Sequence, residues 1–131
     1  MSAGTLMVAK KNAQGMIDPN GERHVVHDYR ALNENTILDH TPLPRQDEII
    51  TAAAKERIRG KIDMVSAYSQ LGMDPNDIFK TAFKTPFGMF EWLVMPQGLC
   101  NGSVSCQRYM NYVLHKYIGR FCYVYLDDIV F

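Results

Sequence analysis

The sequence predicts an α+β domain, on two observations. Short strand-like and helix-like segments follow one another in mixed order, and strand pairs are joined by hairpin turns rather than by the crossover helices of strict β-α-β alternation. The 131 residues, 47% of them hydrophobic, lie in the usual size range of one domain and supply enough apolar surface for a core.

Taken in order, residues 5–9 alternate loosely, 10–21 read as a loop with the turn signal Asp18-Pro19-Asn20-Gly21, and 22–29 return as a strand, making a hairpin with a long tip. Residues 44–56 hold Ile49, Ile50 and three alanines behind Asp47 and Glu48, early carboxylates that favour an amphipathic helix ending before Gly60. Residues 61–65 form a short strand expected to be buried, interrupted by Asp63, and another strand is expected through Leu71 to Met73. A second hairpin is expected over 81–94, turning at Pro86-Phe87-Gly88. Residues 102–118 place Cys106, Met110, Val113, Leu114 and Tyr117 at helical spacing on one stripe. Residues 121–131 read as strand, tight turn at Leu126-Asp127-Asp128, and strand.

Composition narrows the class without naming a function. Fourteen basic side chains balance fourteen acidic ones, so no overall basic field argues for nucleic acid, and such a partner must be inferred from local sites. Cys100, Cys106 and Cys122 are an odd set without CxxC spacing, which fits buried thiols in a reduced intracellular protein. No charged leader precedes an apolar run, and no stretch approaches the roughly 18 apolar residues of a membrane span, so a soluble, non-secreted protein without a membrane partner is expected. Met64, Met73, Met89, Met95 and Met110 are expected as core filler. His24 and His27, three apart on a strand, face opposite sides and do not share a metal, and His40 and His115 show no partners. The chain stops within an apolar strand, which reads as truncation.

Three acids stand out against apolar surroundings. Asp127-Asp128 alone is most often a hairpin turn, and Asp63 alone is as often a cap or an ion-paired acid. If their strands pair in one sheet, the three carboxylates converge at one end of it. Mg²⁺ takes hard oxygen ligands and keeps positions for substrate phosphates, and two such ions roughly 3.5–4 Å apart bind both oxygens of an in-line phosphoryl displacement. That is the chemistry of nucleotide polymerisation.

Six motifs in succession carry a resemblance: His27-Asp28-Tyr29-Arg30-Ala31-Leu32-Asn33, Pro42-Leu43-Pro44-Arg45, Lys80-Thr81-Ala82-Phe83, Val94-Met95-Pro96-Gln97-Gly98-Leu99, Gln107-Arg108-Tyr109-Met110-Asn111 and Tyr123-Val124-Tyr125-Leu126-Asp127-Asp128. In that order the chain, from about Leu6 onward, resembles the reverse transcriptase of gypsy-type LTR retrotransposons and, more distantly, of retroviruses. The resemblance implies a fingers β-hairpin plus a partial polymerase palm, an antiparallel sheet with packed helices. Residues 1–131 would form a single partial domain, with about 1–60 and 74–94 as fingers and about 61–73 and 95–131 as palm, cut after the YxDD hairpin. It implies an RNA-directed DNA polymerase core using two Mg²⁺ ions (or Mn²⁺), held by the catalytic Asp63, Asp127 and Asp128. Tyr125 and Leu126 would be the first members of the YxDD box. Tyr68 resembles the steric gate that excludes a ribose 2′-hydroxyl, Gln97 the residue touching the incoming sugar, and Gly98 a point of close backbone approach. Ser66 and Ala67 would lie along the triphosphate, and Lys11 resembles the fingertip lysine reaching the phosphates. The implied partners are an RNA or DNA template with its primer, a deoxynucleoside triphosphate, and the thumb, connection and RNase H domains of a polyprotein. The implied location is the cytoplasm, in a virus-like particle, or the nucleus.

The chain also departs from the family. The loop between Lys11 and Asp28 is longer than usual. His24 stands where an arginine is expected, with Arg23, the remaining triphosphate candidate, one place off and so turned to the other face. Ser103 stands where the family carries proline before the palm helix. With the thumb absent, residues 1–131 alone are expected to be inactive or nearly so. A second class of function, a decayed or co-opted binding module without catalysis, is favoured by the shifted arginine and the truncation and opposed by the intact three-aspartate set. An RNA-dependent RNA polymerase palm would share the metal geometry, and Tyr68 argues against it.

Overall fold

The computed structural model describes the backbone of residues 2–9 and 23–131, and the side chains of the same residues except Ala9, Arg23 and His24. Along the chain run β1 (Thr5–Ala9), β2 (Arg23–His27), α1 (Arg30–Glu34), α2 (Gln46–Ala54), β3 (Lys61–Asp63), β4 (Phe83–Thr85), β5 (Gly88–Phe90), α3 (Gly102–Leu114), β6 (Tyr123–Tyr125) and β7 (Asp128–Val130). Two 3₁₀ turns, Ala67–Gln70 and Ile78–Thr81, complete the described elements. The chain divides into two compact units, Met1–Thr36 with Gly72–Leu99, and Ile37–Leu71 with Cys100–Phe131.

In the first unit β1 and β2 pair antiparallel from Thr5 opposite His27 to Ala9 opposite Arg23. The expected tip of this hairpin, and Lys11 within it, lie outside the described residues. Strands β4 and β5 form the second expected hairpin, turning over Pro86 and Phe87. The core gathers aromatic rings: His27 lies 4.0 Å from Phe83 and 5.7 Å from Trp92, centroid to centroid. Thr81, fully buried, ties this core together through its own polar groups. Its hydroxyl accepts from the Trp92 amide at 2.8 Å, and its carbonyl accepts from the Tyr29 hydroxyl at 3.0 Å. The short helix α1 follows Asp28, whose carboxylate takes hydrogen bonds from the Arg30 side chain and amide. Those bonds pull the Asp28 pKa down to about 2.

His27 carries a testable consequence. The Thr5 hydroxyl donates to the Lys84 carbonyl at 2.9 Å, so at its 3.2 Å contact with His27 Nδ1 it accepts, and Nδ1 bears the proton. Nε2 is then a bare acceptor, buried without a partner among the described residues. Burial lowers the His27 pKa from its ordinary 6.5. The unfolded chain therefore takes up a proton that the folded unit resists, so this stability is fully present above pH 6.5 and is lost as pH falls below it. Thermal melts between pH 7 and about 5 are expected to show this loss. His27→Phe should flatten that part of the profile; an unchanged slope in the variant would assign the loss to other groups.

In the second unit β3, β7 and β6 form an antiparallel sheet in that order. Helix α2 rises after Arg45, with Asp47 and Glu48 in its first turn as expected, and lies against β6. Helix α3 buries Cys106, Gln107 and Met110, a stripe at spacings of three and four. The expected stripe fails toward its end, because Val113 is half exposed and the helix closes at Leu114 rather than Ile118.

Other expectations need correction. No strand forms over Leu71 to Met73: the chain makes a 3₁₀ turn at Ala67–Gln70 and then a single bridge from Gly72 to Val94. Strand β3 is exposed at all three residues, since it is the edge of a three-stranded sheet. Met89 is 63% exposed on the β4–β5 hairpin, whereas Met95 and Met110 are buried as expected. Cys106 and Cys122 are buried and Cys100 is half-buried.

Candidate active site

The three aspartates meet through the backbone register of the second unit. Gly60 and Phe131 exchange both amide hydrogen bonds, so the ladder alternates from there: Ile62 opposite Ile129 is again a bonded pair, and Asp63 opposite Asp128 is a non-bonded one. In such pairs the Cα atoms are only about 4.5 Å apart and the side chains leave the sheet on the same face. The pairing continues with the Met64 amide donating to the Asp127 carbonyl at 3.0 Å. Asp63, Asp127 and Asp128 thus occupy one end of the sheet. Phe131 closes the other end, its ring packed so closely on Gly60 that a Cβ there would lie 2.5 Å from it.

Both segments beside the acids carry left-handed, non-glycine residues, Ser66 at φ 52° and Leu126 at φ 55°. L-residues enter this region at a cost of about 1 kcal/mol or more and stay there only when their surroundings fix them. At Ser66 the reversal stops β3 and starts the 3₁₀ turn, whose Ser69 amide donates to the Ser66 carbonyl. At Leu126 it makes the tight turn between β6 and β7. Gln107, reaching up from α3, holds this turn: its Oε1 accepts from the Leu126 amide at 2.8 Å and its Nε2 donates to the Val124 carbonyl at 3.2 Å. In the sequence Gln107 stands out only as a member of the segment Gln107-Arg108-Tyr109-Met110-Asn111. Its signal was a polar residue within an apolar helix stripe. Cys106 lies nearby, its thiol pKa pushed up by burial first and by the charge of Asp127 second.

Of the other expected residues, Ala67 is buried, Tyr68 is half-buried and Ser66 is exposed, all in this unit. The Tyr68 hydroxyl lies 3.1 Å from the Ser103 hydroxyl on the first turn of α3. Ser103, noted as a departure at the helix start, therefore gives the tyrosine a polar partner that proline lacks. Tyr125 and Leu126 are half-buried on β6 and its turn. Gln97 and Gly98 belong to the first unit, where Gly98 adopts φ +103° and its carbonyl accepts from Asn33 Nδ2 at 2.8 Å. The Arg23 side chain and Lys11 lie outside the described residues.

The donor set suits a hard divalent cation in kind, three carboxylates at one sheet end. Among the described residues, however, no three acidic, histidine or cysteine side chains close on one point tightly enough to hold an ion. One reason is visible: Asp128 is turned to Lys61, whose Nζ lies 2.8 Å from its Oδ1. Backbone placement therefore fits a metal, and rotation of short side chains about their own bonds, with the register unchanged, is what coordination would require.

Comparison with known proteins gives the family and the fold. The reverse transcriptase (RNA-dependent DNA polymerase) family pattern matches residues 8–131. The chain is 45% identical over 106 residues to the retrovirus-related Pol polyprotein from transposon 297 of Drosophila melanogaster, covering 81% of this chain and 10% of that protein. It is 36% identical over 126 residues to the corresponding polyprotein from transposon gypsy of the same organism, covering 96% of this chain and 12% of that protein. Its fold is similar to that of the foamy viral protease-reverse transcriptase solved in complex with RNA/DNA hybrid, at a TM-score of 0.82 and 24% identity, over 100% of this chain and 16% of that one. The chain thus spans roughly a tenth of the length of these curated relatives. No helix among the described residues is long and apolar enough to cross a membrane. With residues 8–131 matched by the family pattern, the chain belongs to the reverse transcriptase family.

Proposed function

We propose that the protein carrying this chain is an RNA-directed DNA polymerase, extending a primer on an RNA or DNA template from deoxynucleoside triphosphates. The observation that carries this reading is the narrow Asp63–Asp128 pair beside Asp127 on a strained turn. Two like charges directly opposite each other destabilise a sheet, an arrangement that makes sense where a cation is to be held. Asp63, Asp127 and Asp128 would hold Mg²⁺, or Mn²⁺ in its place. Metal ions held by these residues would supply Lewis-acid stabilisation to phosphoryl transfer.

The chain's own residues do the positioning. Gln107 fixes the turn that presents Asp127, and the Ser66 reversal swings the backbone at Ala67 and the ring of Tyr68 away from the line of β3. Tyr68 serves as the gate against a 2′-hydroxyl, its ring braced through Ser103. The assignments of Lys11, Arg23, Gln97 and Gly98 to the nucleotide rest on the resemblance alone. RNA/DNA hybrid, bound by the foamy viral enzyme of similar fold, is the expected class of template-primer.

The test is primer extension by the complete polyprotein-derived enzyme containing these residues, with template, primer and deoxynucleotides. Incorporation that depends on Mg²⁺ and stops with chelator is expected, and its absence would reject the reading. In the same assay Tyr68→Ala is expected to raise ribonucleotide incorporation relative to deoxynucleotide. An unchanged ratio would return Tyr68 to a packing role.

A further inference from the structure

Lys61 stands two residues before Asp63 on β3, so the two side chains leave the same face of the strand. That face is also the face of Asp128, because directly opposite residues on an antiparallel ladder project together. Lys61 reaches diagonally across the ladder and places Nζ 2.8 Å from Asp128 Oδ1. Its pKa is raised first by this hydrogen bond, and then by the charges of Asp128, Asp63 and Asp127. One ammonium thus holds Asp128 on the face of the sheet that also carries Asp63.

We propose that Lys61 is a tethered counter-ion of the three aspartates, holding Asp128 until a divalent ion draws that carboxylate away, and so setting the metal affinity of the site. The proposal rests on the reading of Asp63, Asp127 and Asp128 as metal ligands. A lysine suits the role because its charge is compact and its four-carbon stem is flexible. The Lys61 side chain is 56% exposed, so it is free to swing into solvent when released. The pair competes with the metal in two ways: it occupies one carboxylate oxygen, and it keeps a positive charge beside the incoming one. Both effects are modest at an exposed site and weaken with salt.

The experiment is Mn²⁺ binding to the full chain, followed by electron paramagnetic resonance at low ionic strength, for the wild type, Lys61→Met, which keeps the stem without the charge, and Lys61→Arg, which keeps the charge. Lys61→Met is expected to bind Mn²⁺ about three- to tenfold tighter, a gain that shrinks as salt is added, while Lys61→Arg stays near the wild type. Melting gives a second readout that does not depend on catalysis. In chelator Lys61→Met should melt below the wild type, its acids left to repel each other, and Mn²⁺ should raise its melting temperature more than that of the wild type. Equal or weaker Mn²⁺ binding by Lys61→Met, with binding still abolished by Asp127→Asn, would overturn the tether and leave the metal site standing. No Mn²⁺ binding by the wild type or by Lys61→Met would overturn the metal reading and the tether with it. Should Lys61→Met unfold, Lys61→Gln carries the same comparison.

Discussion

Asp127→Asn in the complete enzyme is expected to lower primer extension by about a thousandfold or more, and Asp63→Asn to do the same, with folding intact in both. Asparagine keeps the size and one oxygen of aspartate and removes the charge, so the variants separate electrostatics from shape. Asp63 is exposed on an edge strand and faces Asp128 directly. Neutralising it removes a like-charge pair, and its effect on stability should stay within about 0.5 kcal/mol in either direction. Asp128→Asn differs, because it also releases Lys61. The measurement is extension rate beside a melting curve for each variant. Activity within a few-fold of wild type in Asp127→Asn or Asp63→Asn would end the assignment of that residue as catalytic, and a collapse of the melting curve would show a structural role instead.

What the sequence made legible follows from where local signals agree with packing. The turn residues Pro86 and Phe87, the acids opening α2 and the tight turn at Leu126-Asp127, with Asp128 already on β7, each dictate structure within a few residues. The convergence of the acids was legible only conditionally, since strand pairing across more than sixty residues leaves no local mark; the Asp63–Asp128 register supplies it. The failures have a common origin in backbone conformation that side-chain pattern does not encode. Ser66 at positive φ ends β3 and diverts the next residues into a 3₁₀ turn, where apolar content alone suggested more strand. Apolar residues also suggested burial for Ile62, which is 51% exposed because β3 has no neighbour on its outer side among the described residues. Helix α1, five residues long and without any buried member, offers too short a stripe to detect. Lys61 leaves no local mark for a different reason: its partner lies on a strand 67 positions later, and only the register shows that the two share a face.

Gln107→Leu is expected to destabilise the unit by about 2–4 kcal/mol, the largest effect on stability among these variants. Leucine fits the space and satisfies nothing in it. Gln107 is only 3% exposed, so losing its amide leaves the Leu126 N–H and the Val124 carbonyl without their partner where water enters poorly. The loss is compounded by strain, because the bond to Leu126 helps to hold a residue at φ 55° that would otherwise relax. Relaxing the turn moves the next residue, Asp127, so extension should fall together with stability. Gln107→Glu separates the two bonds. Its carboxylate still accepts from the Leu126 amide but no longer donates to Val124, and it brings a fourth negative charge near the acids. An intermediate loss of stability is therefore expected. Urea unfolding of wild type, Gln107→Leu and Gln107→Glu measures the series, and a Gln107→Leu midpoint equal to wild type would mean that the turn is held by its own strands rather than from α3.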